Sequence, residues 1–186
     1  MRFYTLKVED HNLNKERILA KISETNHKTQ TRSELCSTDD GIKYVPITDR
    51  ESYISNSDWN VRSHSWFKFA LSERDRGSFI ELVLRKFKKS YFQVRQDWFN
   101  QYDPGTGSEH PFHVHTGGHI NCSGIYYVEL EDKSLGTILR ESDSPEFQPE
   151  VREGEILFFP SNVWHRSPPN NTNTRKTVIP FNISLR

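Results

Sequence analysis

Gly105-Thr106-Gly107-Ser108-Glu109-His110-Pro111-Phe112-His113-Val114-His115-Thr116-Gly117-Gly118-His119-Ile120-Asn121-Cys122-Ser123-Gly124-Ile125-Tyr126-Tyr127 is the stretch on which the rest of the chain can be hung. It sets His113 and His115 two positions apart and then runs into an apolar segment, Gly124 to Val128. Side chains alternate along a strand, so an H-x-H pair in extended chain turns both imidazoles to one face. Imidazoles that converge on one point make a metal site. A later stretch, Gly154 to His165, supplies a candidate for the remaining ligand, since His165 follows the apolar run Ile156-Leu157-Phe158-Phe159-Pro160 at a strand end.

Working outward, the period of the pattern is 2 from Tyr91 onward. Phe92, Val94 and Gln96 alternate with Gln93, Arg95 and Asp97 in a segment ending near Asn100. Further strands are expected at Pro111 to Thr116, Gly124 to Leu130, Leu135 to Arg140, Gln148 to Arg152, Glu155 to Phe159, Val163 to Arg166 and Lys176 to Leu185. Short strands separated by Gly, Pro, Asn and Asp turn signals make a jelly roll or barrel. The expected fold is therefore mainly β, a double-stranded β-helix of the jelly-roll, cupin-like kind with flanking N-terminal helices. Residues 91–186 form the core and residues 1–90 the flanking helices and loops of one domain, a size at which about 70% of the unfolded surface can be buried.

Ahead of the core, Arg2 to Val8 reads as a strand. Asn12 to Glu24 reads as a helix with Asn12 as its cap and Ile18, Leu19 and Ile22 on one face. Ser78-Phe79-Ile80-Glu81 has the form of a capping box and predicts a helix running to about Lys89. Residues 25–66 are polar and irregular, and long segments of that kind in a compact domain often act as lids.

The chain has 25 basic and 25 acidic residues, which removes the electrostatic case for general nucleic-acid binding or an anionic membrane surface. No apolar run has the length of a membrane span. Met1 to Asp10 lacks the continuous apolar run of a signal peptide. Cys36 and Cys122 form no pattern, so a reducing, cytoplasmic location is expected. Aromatic residues make up 12% of the chain, which suits strands around a lined pocket.

On the H-x-H spacing, His113, His115 and His165 are the candidate metal ligands and catalytic centre. His110 and His119 read as loop or outer-sphere histidines, and His11, His27 and His64 lie outside the core.

With those residues in view, the last 90 or so positions resemble the iron(II)- and 2-oxoglutarate-dependent oxygenases, in particular a short branch found in microbes and phages. The resemblance rests on Trp98-Phe99-Asn100, His113-Val114-His115, Ser123-Gly124-Ile125-Tyr126-Tyr127-Val128, Leu157-Phe158-Phe159-Pro160-Ser161, Val163-Trp164-His165 and Arg175 to Asn182. It implies that His113, His115 and His165 hold Fe(II). It also implies that Arg175 and Thr177, ten and twelve residues after His165, grip the distal carboxylate of 2-oxoglutarate. A guanidinium fork fits a carboxylate, and Thr177 would share its strand face. Asn100, Tyr102, Tyr127 and Trp164 are expected to line the pocket. The implied reaction is hydroxylation of a C–H bond in a small-molecule or peptide substrate, with O2 consumed and succinate and CO2 formed. The superfamily usually has H-x-Asp/Glu, and here His115 stands in the carboxylate position; the alternative is a third ligand from elsewhere, Glu109 or Asp103.

Other readings compete. Gly107-x5-His113-x-His115 and Gly154-x5-Pro160-x4-His165 fit the two cupin motifs, although His119 or Ile120 occupies the cupin glutamate position. A three-histidine cupin dioxygenase, isomerase or binding module would not need 2-oxoglutarate. Three histidines also suit zinc in a jelly-roll binding module. His115-Thr116-Gly117 resembles the H-x-Gly of iron halogenases, a register that leaves His113 unexplained.

Overall fold

The structure, a computed structural model, describes residues 2–25, 28–31, 52–58, 65–115, 117, 119–142 and 144–186. His27, Cys36, His64 and most of the expected lid over 25–66 fall outside the described residues.

The chain opens with β1 (Tyr4–Lys7) and α1 (His11–Glu24). β2 (Lys28–Thr31) and β3 (Ser52–Ser57) follow, within a region that the sequence presents as irregular. Then come the short α2 (Trp66–Ala70) and the long α3 (Glu73–Phe87). Both long helices begin elsewhere than expected. Asn12 lies inside α1, whose N-cap is Asp10, because the carboxylate of Asp75 accepts the N–H groups of Glu9 and Asp10 and fixes the turn there. α3 starts at a capping box of its own, Ser72-Glu73-Arg74-Asp75. The Ser72 hydroxyl accepts the Asp75 N–H at 3.2 Å and donates to the Asp75 carboxylate at 3.0 Å. Ser78 is consequently an interior residue.

The expected strand Tyr91 to Asn100 is two, β4 (Phe92–Asp97) and β5 (Asn100–Tyr102), broken where the Phe99 N–H turns to the Asp58 carboxylate. β6 (His110–His113), β7 (Cys122–Leu130), β8 (Ile138–Arg140), β9 (Glu155–Pro160), β10 (Trp164–Ser167) and β11 (Lys176–Leu185) complete the set. Gln148 to Arg152 forms no strand. The chain there makes only a lone bridge, Leu139 to Phe147, and Gln148 spends its amide on the carbonyls of Lys133, Ser134 and Gly136.

All pairings are antiparallel. The large sheet runs β1-β9-β7-β11-β5-β3-β2, with β4 also on β11, and a small sheet runs β6-β10-β8. Alternation divides the large sheet's side chains between two cores. Tyr126, Val128, Ile156, Phe158, Ile179, Phe181 and Ile183 face the helices and pack with Ile18, Trp66, Phe79 and Val83. Phe79 stands edge-on to Phe158 and to Phe181, each at 5.4 Å between ring centroids. Gly124 makes this possible: it lies opposite Phe181, and a Cβ there would come within 2.2 Å of the Phe181 ring. Ile125, Leu157, Phe159 and Val178 face the other way, toward the small sheet, and the cavity lies on that side. No helix among the described residues is long and apolar enough to cross a membrane.

Candidate metal centre

The small sheet brings the first two histidines together. β6 and β10 pair with His113 directly opposite His165, which sets the two ring centroids 4.0 Å apart. His115 is not on the strand. β6 ends at His113, and His115 reaches the cluster from the following loop, where its N–H donates to the Ser161 carbonyl at 2.9 Å. Its ring lies 4.9 Å from that of His113 and 5.1 Å from that of His165. All three are buried, and one nitrogen from each lies within 4.8 Å of the others.

The protonation states suit ligation. Nδ1 of His113 bonds the Pro111 carbonyl at 2.9 Å and Nδ1 of His165 bonds the Val163 carbonyl at 3.1 Å. A carbonyl only accepts, so both rings carry their proton on Nδ1 and leave Nε2 as a bare donor. Burial holds the pKa of His113 and of His165 well below the ordinary histidine value, helped by the neighbouring imidazoles. Neutral imidazole is the form that binds a metal. His110, expected to be peripheral, lines the same cavity and lies against His113 at 4.1 Å between centroids, and burial takes its pKa down to about 3. His119 is exposed, with φ 66°, and His11 sits on the helix side bonded to the Tyr126 hydroxyl at 2.7 Å. None of the described residues lining the cavity is acidic, and neither Glu109 nor Asp103 is among them.

Along β11 the cavity is lined by Lys176, Val178, Pro180, Phe181 and Asn182, although the Phe181 ring packs into the helix-side core. Arg175 and Thr177 are not among the lining residues. Arg175 forks onto Glu129 at 2.9 and 3.2 Å, and the Thr177 hydroxyl donates to the same carboxylate. The Arg175 side chain is 41% exposed, whereas Lys176 is 1% exposed. The cation in the cavity is thus the residue between the two expected. Its Nζ donates to the Leu135 carbonyl at 2.6 Å and to the Ser167 hydroxyl at 2.8 Å, and lies 5.1 Å from the centre of the Tyr102 ring. Among the described residues no carboxylate pairs with it, and burial lowers its pKa to about 7. Parity separates the two expected residues from Lys176, without saying which row faces the cavity. Ile179, Phe181, Ile183 and Leu185 form the apolar row of β11, Arg175 and Thr177 share their parity, and Lys176 does not.

Of the other expected pocket residues, Asn100 and Tyr102 line the cavity and Tyr127 and Trp164 do not. The Tyr127 hydroxyl is spent on Thr137 at 2.7 Å, and Trp164 lies on the outer face of β10 with Arg140 over its ring. Trp98 and Asn182 complete the wall around His115.

The fold has counterparts among solved structures. The chain is similar to a Pseudomonas putida prolyl-4-hydroxylase, at 12% identity over 99% of this chain and 92% of that one, with a TM-score of 0.60. It is similar to a Trichoplax adhaerens prolyl hydroxylase solved with a hypoxia-inducible-factor peptide fragment, at 10% identity, 98% and 83% coverage and a TM-score of 0.64. A third is a 2OG-Fe(II) oxygenase family oxidoreductase from Burkholderia pseudomallei, at 12% identity, 98% and 84% coverage and a TM-score of 0.55.

The fold is that of the 2OG-Fe(II) oxygenases.

It is a double-stranded β-helix, mainly β, with the helices packed on one face of the large sheet. No family model and no curated protein matches the chain. The donor set fits a divalent metal, since three buried imidazoles converge with nothing acidic among the described lining residues.

Proposed function

We propose that the chain is an Fe(II)- and 2-oxoglutarate-dependent oxygenase that hydroxylates a C–H bond of a small-molecule or peptide substrate. One observation carries this reading: the cavity that receives His113, His115 and His165 also receives a buried ammonium, Lys176, with no carboxylate partner among the described residues. An ammonium out of water without a counter-charge is costly, and an anionic guest relieves that cost.

The spacing suits a short diacid. Lys176 is bonded to Ser167, which lies two residues beyond His165 on the same face of β10, about 7 Å along the strand. His113, His115 and His165 would hold the metal, and Lys176 with the Ser167 hydroxyl would hold the distal carboxylate. Tyr102 and Asn100 would wall the diacid, and Trp98 would close the side near His115. Bound together, iron(II), 2-oxoglutarate and O2 supply oxidative decarboxylation to succinate and CO2 and the oxidising power for hydroxylation. The chain's own part is to keep the His113 and His165 imidazoles neutral, to fix the diacid's orientation by a charge at its far end, and to keep the site dry.

Zinc would accept the same imidazoles, and a cupin-type site would use them without a diacid. Neither gives Lys176 a task. His113 lies within the cluster, which counts against the H-x-Gly register. The test is succinate release from 2-oxoglutarate with Fe(II) and O2, together with 2-oxoglutarate binding to Lys176→Met. The variant is expected to keep iron and to lose 2-oxoglutarate binding; wild-type binding in the variant refutes the assignment.

A further inference from the structure

The three histidines are not held alike. His113 and His165 give Nδ1–H to carbonyls, whereas Nδ1 of His115 faces the amide nitrogen of Asn182 at 3.4 Å. An amide nitrogen only donates. In this arrangement Nδ1 of His115 is therefore the acceptor, and the proton of the neutral ring sits on Nε2. A ring protonated there cannot ligate through that atom.

Asn182 is 1% exposed and tied on both sides. Its Oδ1 accepts the Ser123 hydroxyl at 3.2 Å, and its Nδ2 donates to Gln96 Oε1 at 3.0 Å. These contacts reverse as a set. With the Asn182 amide turned over, Nδ2 meets the Ser123 oxygen, which accepts as readily as it donates. Oδ1 then meets Gln96 and His115. Gln96 is only half-buried and turns its own amide to donate. Each of these three contacts again has one donor and one acceptor, so neither orientation sets two donors or two acceptors against each other. In the reversed state Oδ1 accepts an Nδ1–H from His115, and Nε2 becomes a bare donor like those of His113 and His165.

We propose that Asn182 is a two-position amide switch: one orientation keeps the proton of His115 on Nε2, and the other, adopted when a divalent metal binds, places it on Nδ1 and makes His115 a ligand. The physical reason lies in the crowding of three ligand nitrogens within 4.8 Å. Three bare lone pairs at that range oppose one another, and one N–H among them relieves the conflict. A carboxylate in the place of His115 carries no ring proton and needs no such device. Asn182 is thus a positioning residue that acts through His115. The inference rests on the metal reading of the site.

The test reads the tautomer directly. Histidine ¹⁵N spectra of metal-free wild-type protein are expected to show His115 with Nδ1 unprotonated. Zinc, a diamagnetic probe, is expected to move that proton to Nδ1. Asn182→Asp offers only acceptors, so it is expected to place the proton on Nδ1 without metal and to tighten zinc binding about tenfold. Asn182→Leu removes the partner and is expected to weaken zinc binding about 10–100-fold. His115 already protonated on Nδ1 in the metal-free wild type overturns the switch. So do zinc constants that are the same in wild type and both variants. If the wild type binds no divalent ion at all, the metal reading falls and the switch with it; unchanged constants in a protein that does bind zinc remove the switch alone.

Discussion

On β11, Ile179, Phe181 and Ile183 turn to the helices while Lys176, Val178 and Asn182 turn to the cavity. The two faces of one strand are held by different means. The helix face is an apolar cluster with edge-on aromatic contacts, and each large side chain there contributes about 1.5–3 kcal/mol by burial. The cavity face has an apolar cluster too, with Ile125, Leu157, Phe159 and Val178, but set into it are polar groups held by specific partners: Lys176 on Leu135 and Ser167, Asn182 on Ser123 and Gln96, His113 and His165 on carbonyls. The difference teaches that stability and chemistry are separable here. Apolar packing, purest on the helix face, supplies the free energy that lets the cavity keep a buried cation and a cluster of imidazoles.

The sharpest way to break this division is to exchange the roles. Phe158→Ala on the helix face is expected to cost about 3–5 kcal/mol in urea unfolding, while the molecules that remain folded bind metal as before. His165→Ala on the cavity face is expected to do the reverse, weakening zinc or iron binding by more than about a hundredfold in a chelator competition with only a small change in the urea midpoint. A metal affinity that follows the urea midpoint across both variants would show that the faces are not independent.

Next in size is the pH response of Lys176, whose pKa burial lowers from 10.5 to about 7. The unfolded chain keeps this proton to higher pH than the folded one. Between those values the unfolded state binds more protons, so this group makes stability rise with pH over that window and flatten below it. A dicarboxylate needs the charged form. Its affinity is expected to fall by about tenfold per pH unit above pH 7, measured by calorimetry, and Lys176→Arg is expected to flatten that slope.

The smallest effect belongs to the outer pair. Arg175→Ala removes a half-exposed ion pair with Glu129, for an expected loss of less than about 1 kcal/mol in urea and no change in 2-oxoglutarate binding. A large loss of binding there would move the anchor back to Arg175.

Much of this was legible beforehand where a signal is local. The apolar runs of β7, β9 and β11, the mainly β class and the grouping of His113, His115 and His165 all follow from composition and short-range spacing. What failed did so where two local signals competed. Ser78 offered a capping box, but Ser72, about six residues earlier, had one too. Gln148 to Arg152 had strand composition and no neighbour to pair with beyond the lone bridge at Phe147. His115 was read by strand alternation, yet it joins the cluster from a loop tied to Ser161.

The amino-acid order alone determined that extended segments would alternate, that one row of β11 would be apolar, and that three imidazoles were available to meet. Only the packed molecule decided which row faced the metal side. Strand parity is relative: a shift of one position sends every side chain to the opposite face. That single step separates Arg175, paired with Glu129 at the surface, from Lys176, enclosed beside Ser167 on the strand of His165. That orientation goes with the contact of Phe181, five residues beyond Lys176 on the same strand, with Phe79 of α3 beside Gly124.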